Sequence, residues 1–364
     1  MKRICRALLL VAGVVCVQHC DLLSDEPQAG YRSSSKMIVA TTSAADFSAG
    51  NVGTFSLVDS IAASDLLSIS SDNSVKIYNG AVYILERWGK DNIIKFNSGA
   101  ISSGTVVKQE HIGDAVNLHD IAFVSSTKAY VTQYDAEELA VYNPSTGAKS
   151  TAAISLSAFA PAGSSTPNMD QTAVYRDNVY VGLQKLSNDL MTVIGSGSIA
   201  VVNFEKDSVE GEILLGADNP QGMYLFGSTL YVACTGAYGA RDGGIVSVDL
   251  QSETANGTQV DEVVLGGDVS DVLIVSDTLG FALVADSSLV NKLVPFNPGD
   301  KTVGQPVEQA DAPACLAFDG EHLYIASRSL TNPGIVILDP ATGSKISGPH
   351  DVGLPPNSLG IYQQ

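Results

Sequence analysis

Four histidines follow residue 20, and only one of them, His119, falls where it could meet other polar groups. His119 stands beside Asp120, a candidate general base next to a carboxylate. Adjacent residues of a strand point to opposite faces, which argues against the two acting together. His111, His322 and His350 belong to outer strands or to a hairpin at the other end of the fold, so a three-histidine metal site is not supported. Asp120, Asp170 and Asp271 could hold calcium with backbone carbonyls, since calcium takes an all-oxygen shell. Calcium is the one cofactor these residues suggest. Cys234 and Cys315 lie in apolar strands and read as buried thiols. A glycine-rich phosphate loop, a serine elbow and a calcium-loop motif are all absent from the sequence.

Trp88 is the only tryptophan of the chain and lies in a short polar segment between Arg87, Gly89 and Lys90. Tryptophan and arginine are common binding anchors. Packing over a neighbouring element would account for Trp88 equally well.

The elements that position these residues follow from a repeat. Short apolar strands with one aromatic recur at Tyr83, Tyr130, Tyr180, Tyr231, Phe281 and Tyr324, at intervals close to the length of one four-stranded propeller blade. Another apolar strand precedes each, with turn residues between them such as Asn79-Gly80, Asp177-Asn178 and Asp319-Gly320. A third strand follows each aromatic one, and a less regular fourth is expected after it. That makes six complete units. The segments 36–41 and 53–58 read as second and third strands lacking a first, while Ser358–Tyr362 reads as a first strand with nothing after it. Joining them gives an all-β, seven-bladed β-propeller closed by pairing of the C-terminal strand with the N-terminal blade, an arrangement that leaves no long sheet edge exposed.

The run Ala129-Tyr130-Val131-Thr132-Gln133, followed by Leu139-Ala140-Val141-Tyr142-Asn143-Pro144-Ser145-Thr146-Gly147, resembles the YVTN-type repeat of YncE-like bacterial seven-bladed propellers. The resemblance spans residues 37–364. It implies an exported protein of a group with diverse roles, some of whose members are ligand-binding surface lipoproteins.

In this topology the link into each innermost strand and the loop between second and third strands meet around the mouth of the central channel. The links supply Asn73, His119, Asp170, Gln221, Ser270, Ala314 and Asn357, with Asp120 and Asp271 adjacent. The loops supply Phe47, Arg87, Trp88, Tyr134, Asp135, Gln184, Tyr238, Arg241 and Arg328. A concave ring of converging polar groups is the default binding site. Capping of strand ends and ordering of channel water is the plainer role for the same residues.

The formal net charge is −19 and no segment gathers basic residues into a stripe, which excludes a nucleic-acid partner. Residues 1–20 read as a signal peptide, with Lys2, Arg3 and Arg6 ahead of an apolar core. Val17-Gln18-His19-Cys20 resembles a lipoprotein cleavage site in which Cys20 is lipidated. Residues 21–36 form the expected tether and 37–364 the propeller. The sequence therefore predicts a bacterial cell-envelope protein, lipid-anchored and either periplasmic or surface-exposed. Its partner is a small molecule, a glycan or an envelope protein, and a lactonase- or lyase-like hydrolase at the same mouth is the alternative.

Overall fold

The computed structural model describes residues 36–363 apart from 98–100 and 102–105. The export segment, Cys20 and nearly all of the tether lie outside the described residues. What is described is seven antiparallel sheets. The inner strands, in ring order, are Asn73–Tyr78, Leu118–Ser125, Met169–Tyr175, Pro220–Phe226, Asp268–Ser276, Pro313–Phe318 and Pro356–Tyr362. They begin blades one to seven.

The seventh blade combines both chain ends. Its inner strand, Pro356–Tyr362, pairs with Met37–Ser43 from Met37 opposite Tyr362 to Thr42 opposite Pro356, and Gly50–Ser56 and Ala62–Ile69 complete the sheet. The third strand of this blade starts three residues before the sequence reading placed it. Gly50 allows this, because a Cβ there would lie 2.2 Å from the Ser70 carbonyl oxygen.

Burial follows position within the blade. Second strands such as Ala81–Glu86 are buried on both faces, since each is covered by the blades before and after it, and they read as continuous apolar runs. Outer strands such as Thr254–Asp261 are buried on one face at most and read as mixed polar segments. Apolar clusters lie between consecutive blades all round the ring, including the junction of blades six and seven, where Ile38, Phe55 and Leu359 meet Cys315, Tyr324 and Ile337. Each fully buried aliphatic or aromatic side chain contributes about 1.5–3 kcal/mol.

The repeated aromatic does more than fill space, because a buried tyrosine hydroxyl needs a partner. Tyr130 of blade two donates to Asp207 in a turn of blade three, and Tyr180 of blade three donates to Glu253 of blade four at 3.1 Å. Tyr324 donates to Asp319 at 2.8 Å, and Lys36, at the start of the described chain, reaches the same carboxylate from blade seven. These bonds tie consecutive blades at the end opposite the mouth.

Blade five departs from the expectation of four strands and has three, Asp268–Ser276, Leu279–Ala285 and Asn291–Phe296. Pro295 in the last of these has no N–H to give to an outer neighbour. Its carbonyl accepts from Gly304 at 2.8 Å and that of Leu293 accepts from Val307 at 2.8 Å, so the following segment runs beside the strand without forming a ladder.

Removal of residues 358–364 takes away most of the strand that pairs with Met37–Ser43 and opens the ring between blades seven and one. The truncated chain is expected to unfold at least 5 °C below the full one, as a loss of about 3–4 kcal/mol would give in a domain of this size. Equal melting temperatures by circular dichroism would show that closure is not what holds the ring.

Candidate binding site at the channel mouth

One backbone contact recurs around the mouth. The residue just after the second strand donates its N–H to the carbonyl of the residue just before the inner strand: Arg87 to Asp72, Tyr134 to Asn117, Gln184 to Asn168, Thr235 to Asn219 and Arg328 to Ala312, at 2.9–3.1 Å. Asn117, Asn168 and Asn219 adopt left-handed backbone with φ of 53–54°. Asparagine enters this region more readily than most residues because its side chain bonds locally. The device sets one loop residue in each of these five blades at a common height over the channel.

A second device lies within the inner strands. In blades two, three and four the ladder shifts register between Leu118 and Ile121, Met169 and Thr172, and Pro220 and Met223. Bulges re-aim side chains and break strict alternation. His119 and Asp120 both reach blade three as a result, but to different partners. The Asp120 carboxylate accepts from the Thr172 N–H at 2.8 Å and the Thr172 hydroxyl at 2.7 Å, and pairs with Lys76 of blade one at 2.8 Å. It is wholly buried and joins three blades.

His119 belongs to a separate network nearer the surface. Its Nδ1 lies 2.8 Å from Asp170 Oδ1 and its Nε2 lies 3.0 Å from Arg87 Nη2. The other oxygen of Asp170 accepts from Gln184 at 2.5 Å, Gln184 accepts from the Tyr134 hydroxyl at 2.5 Å, and the Tyr134 ring stacks on His119 with centroids 4.1 Å apart. Arg87 also pairs through Nε with Asp72 at 3.2 Å. Burial holds the His119 imidazole below its ordinary range and the Arg87 cation adds to this, while Asp170 partly opposes both. The ring is therefore neutral at pH 7. With Asp170 accepting at Nδ1, the proton sits there and Nε2 accepts from Arg87. His119 thus orients Arg87, and its lone pair is engaged rather than free to take a proton from a substrate.

The remaining residues of the predicted ring divide clearly. Trp88 is 71% exposed beside Arg87, its backbone N–H donating to Asp72 Oδ2 at 3.3 Å. Gln221 donates to the Tyr238 hydroxyl at 2.9 Å. Arg241 sits on an exposed loop tip in left-handed backbone. Arg328 is committed to structure: it donates to Asn357 and to the Pro355 carbonyl, with its guanidinium 5.9 Å from the Phe47 ring. Asn73 is buried and donates to the carbonyls of Thr42 and Ser70, and Asn357 donates to Ser71 at 3.1 Å. Asp271 caps the Val272 N–H at 2.8 Å and lies so close to Gly222 of blade four that a Cβ there would be 2.6 Å from its Cα.

Asp120, Asp170 and Asp271 consequently serve different partners. Among the described residues no group of three or more histidine, cysteine or acidic side chains converges as a metal site would. Cys234 and Cys315 are buried thiols, and burial pushes the Cys234 thiol up. The long loop after Gln184 is held at its root, where Leu186 is buried with its N–H on Asn168 Oδ1 at 2.9 Å and Lys185 pairs with Glu212 at 2.5 Å. Sequence reasoning missed Asp72, which holds Arg87, and Lys76, which balances Asp120. The regular spacing of Asn117, Asn168 and Asn219 was the available signal for the first, since Asp72 takes the same place in blade one.

The fold and this mouth define the chain as a seven-bladed β-propeller with a polar, aromatic-rimmed channel mouth. No family model matches it, and no curated protein does. Solved structures resemble it over nearly their whole length. A putative 6-phosphogluconolactonase from Bacteroides fragilis aligns with a TM-score of 0.64 at 13% identity, covering 92% of this chain and 99% of its own. A protein from Lactobacillus plantarum gives 0.65 at 11%, covering 90% and 99%. Apo AztD from Citrobacter koseri gives 0.56 at 12%, covering 91% and 99%. At such identities the likeness is one of fold.

Two measurements test the electrostatics. Lys76→Met leaves Asp120 buried without its cation and is expected to cost about 3–5 kcal/mol in urea unfolding; a loss under about 1 kcal/mol would show that Thr172 alone suffices for the carboxylate. Because the folded pKa of His119 is depressed, its contribution to stability is present above the ordinary histidine value of about 6.5 and is lost as pH falls through the folded value. Between about pH 7.5 and 5.5 the native chain should lose more stability than His119→Gln. Parallel losses would mean that His119 titrates normally.

Proposed function

We propose that this is a binding protein of the cell envelope that takes its ligand at the channel mouth. The observation that carries the reading is the network through blades one, two and three, Asp72–Arg87–His119–Asp170–Gln184–Tyr134, which presents an oriented guanidinium beside the exposed indole of Trp88. Preorganised polar groups next to an exposed aromatic suit recognition, because little side-chain freedom is lost on binding.

The YVTN-type repeat, the basic-apolar start and Cys20 support an exported, lipid-anchored member of the YncE-like group. Lys36 meets Asp319 in a turn at the end opposite the mouth. In this reading a lipidated Cys20 ties that opposite end towards the membrane and the mouth points away from it, towards ligand.

A hydrolase reading draws on the likeness to the putative lactonases, and the engaged Nε2 of His119 weighs against it. The deciding experiment is a thermal-stability screen of the chain against sugars, lactones, organic acids and metal salts, since a ligand of the native state raises the melting temperature. A stabilising compound that loses at least about tenfold in affinity on Arg87→Ala and on Trp88→Ala supports binding at the mouth. Turnover of a lactone abolished by His119→Ala would replace this reading with the hydrolase. Stabilisation indifferent to both mouth substitutions would place the site elsewhere.

A further inference from the structure

The rim of the mouth has a chemistry that the central network does not use. Large apolar side chains stand exposed at loop tips of six of the seven blades: Phe47 on blade seven, Trp88 on one, Leu190 on three, Tyr238 on four, Leu289 on five and Leu330 on six. Leu330 is 94% exposed, and Val263, at the link from blade four to five, is 68% exposed. These tips surround the whole ring, so no single small molecule can cover them together. An exposed apolar set gathered at one end, and rimmed by polar residues, marks an interaction surface.

Between the tips the face is acidic. Asp46, Asp114, Asp189, Asp242 and Asp351 are exposed in its loops. Of its cations, Arg87 faces Asp72, Lys185 faces Glu212 and Arg328 is bonded to Asn357, and the exposed Lys90 and Arg241 are outnumbered by these carboxylates. This charge repels an anionic lipid surface. It also disfavours a second copy, since a two-fold contact would set the same carboxylates against themselves.

We infer that the mouth face docks a protein partner through a cationic segment with interspersed apolar side chains. The inference rests on the mouth being the binding surface, and it names the partner's chemistry. The apolar side chains fill the gaps between the loop tips and the cations meet the exposed carboxylates, so complex formation weakens with salt.

Trp88, as the only tryptophan, reports contact directly. The probe is a synthetic peptide of alternating lysine and leucine, titrated into the full chain while tryptophan emission is followed. A saturable blue shift is expected, and replacing the leucines of the peptide by serine should weaken it. Affinity should fall at least about tenfold in the double variant Val263→Ser, Leu330→Ser, which removes apolar area without adding charge, and similarly between roughly 0.05 and 0.5 M salt. The control Val58→Ser, Ile61→Ser, at the opposite end of the ring, should bind as the native chain does.

Absence of the shift, or a shift unchanged by Val263→Ser, Leu330→Ser, overturns the proposal. So does a blue shift with phosphatidylserine vesicles in place of the peptide, which would make a membrane the occupant. Self-association in sedimentation lost on Leu330→Asp would make it a second copy. If the peptide fails while a small molecule still binds in an Arg87-dependent way, the mouth stands as the site and the protein partner alone falls.

Discussion

Each inner strand of the ring has one ladder neighbour and one edge turned to the channel, and the whole mouth depends on how that edge is satisfied. Backbone N–H groups on that edge need oxygen from elsewhere. Ser358 of blade seven accepts from the Val75 N–H of blade one at 3.0 Å, and Asp120 of blade two accepts from Thr172 of blade three. These bonds run from one blade to the next, so the strand geometry near the mouth and the angular spacing of the blades are set together. The Lys76–Asp120 pair lies at the same level and makes the carboxylate tolerable in a fully buried place.

The polar network above it inherits this rigidity. Arg87 is held by a carboxylate of its own blade and by an imidazole of the next, and that imidazole is held in its tautomer by Asp170 of the blade after. Each member has a defined partner at hydrogen-bonding distance, the condition under which buried polar groups order a site rather than weaken it. The mouth therefore presents a fixed arrangement of donors at its centre and exposed apolar tips at its rim. The first suits orientation of a bound group and the second suits area.

The two ends of the ring are built differently for the same chemical reason. At the end away from the mouth Tyr130 and Tyr180 bond carboxylates in turns of the next blade, and Tyr324 shares Asp319 of its own blade with Lys36 of blade seven, so polar side chains there are consumed in holding blades together. At the mouth, left-handed asparagines hold the loops by backbone contacts and leave side chains such as Trp88 and Tyr238 outside the scaffold. Blade five shows the same economy of donors from the other side: Pro295 removes one N–H and an entire outer strand fails to form.

The repeat, the number of blades and the shared seventh blade were legible in the sequence, because strand alternation and aromatic spacing are local properties that survive without knowledge of contacts. So was the set of residues around the mouth, since topology alone places His119, Asp170, Tyr134 and Arg87 at one end. Which of them touch was decided by the tertiary structure. His119 and Asp170 belong to different blades, and Arg87 and His119 likewise, so their distances depend on the angle between sheets rather than on any spacing along the chain. The bulges had the same effect on Asp120 and Asp271, whose partners follow from a register shift that alternation does not foresee. Arg328 and Asn357 are a further case: two polar residues read as lining the mouth form a clamp across the closing blade, because a buried guanidinium takes the nearest carbonyl and amide oxygens that ring closure brings to it.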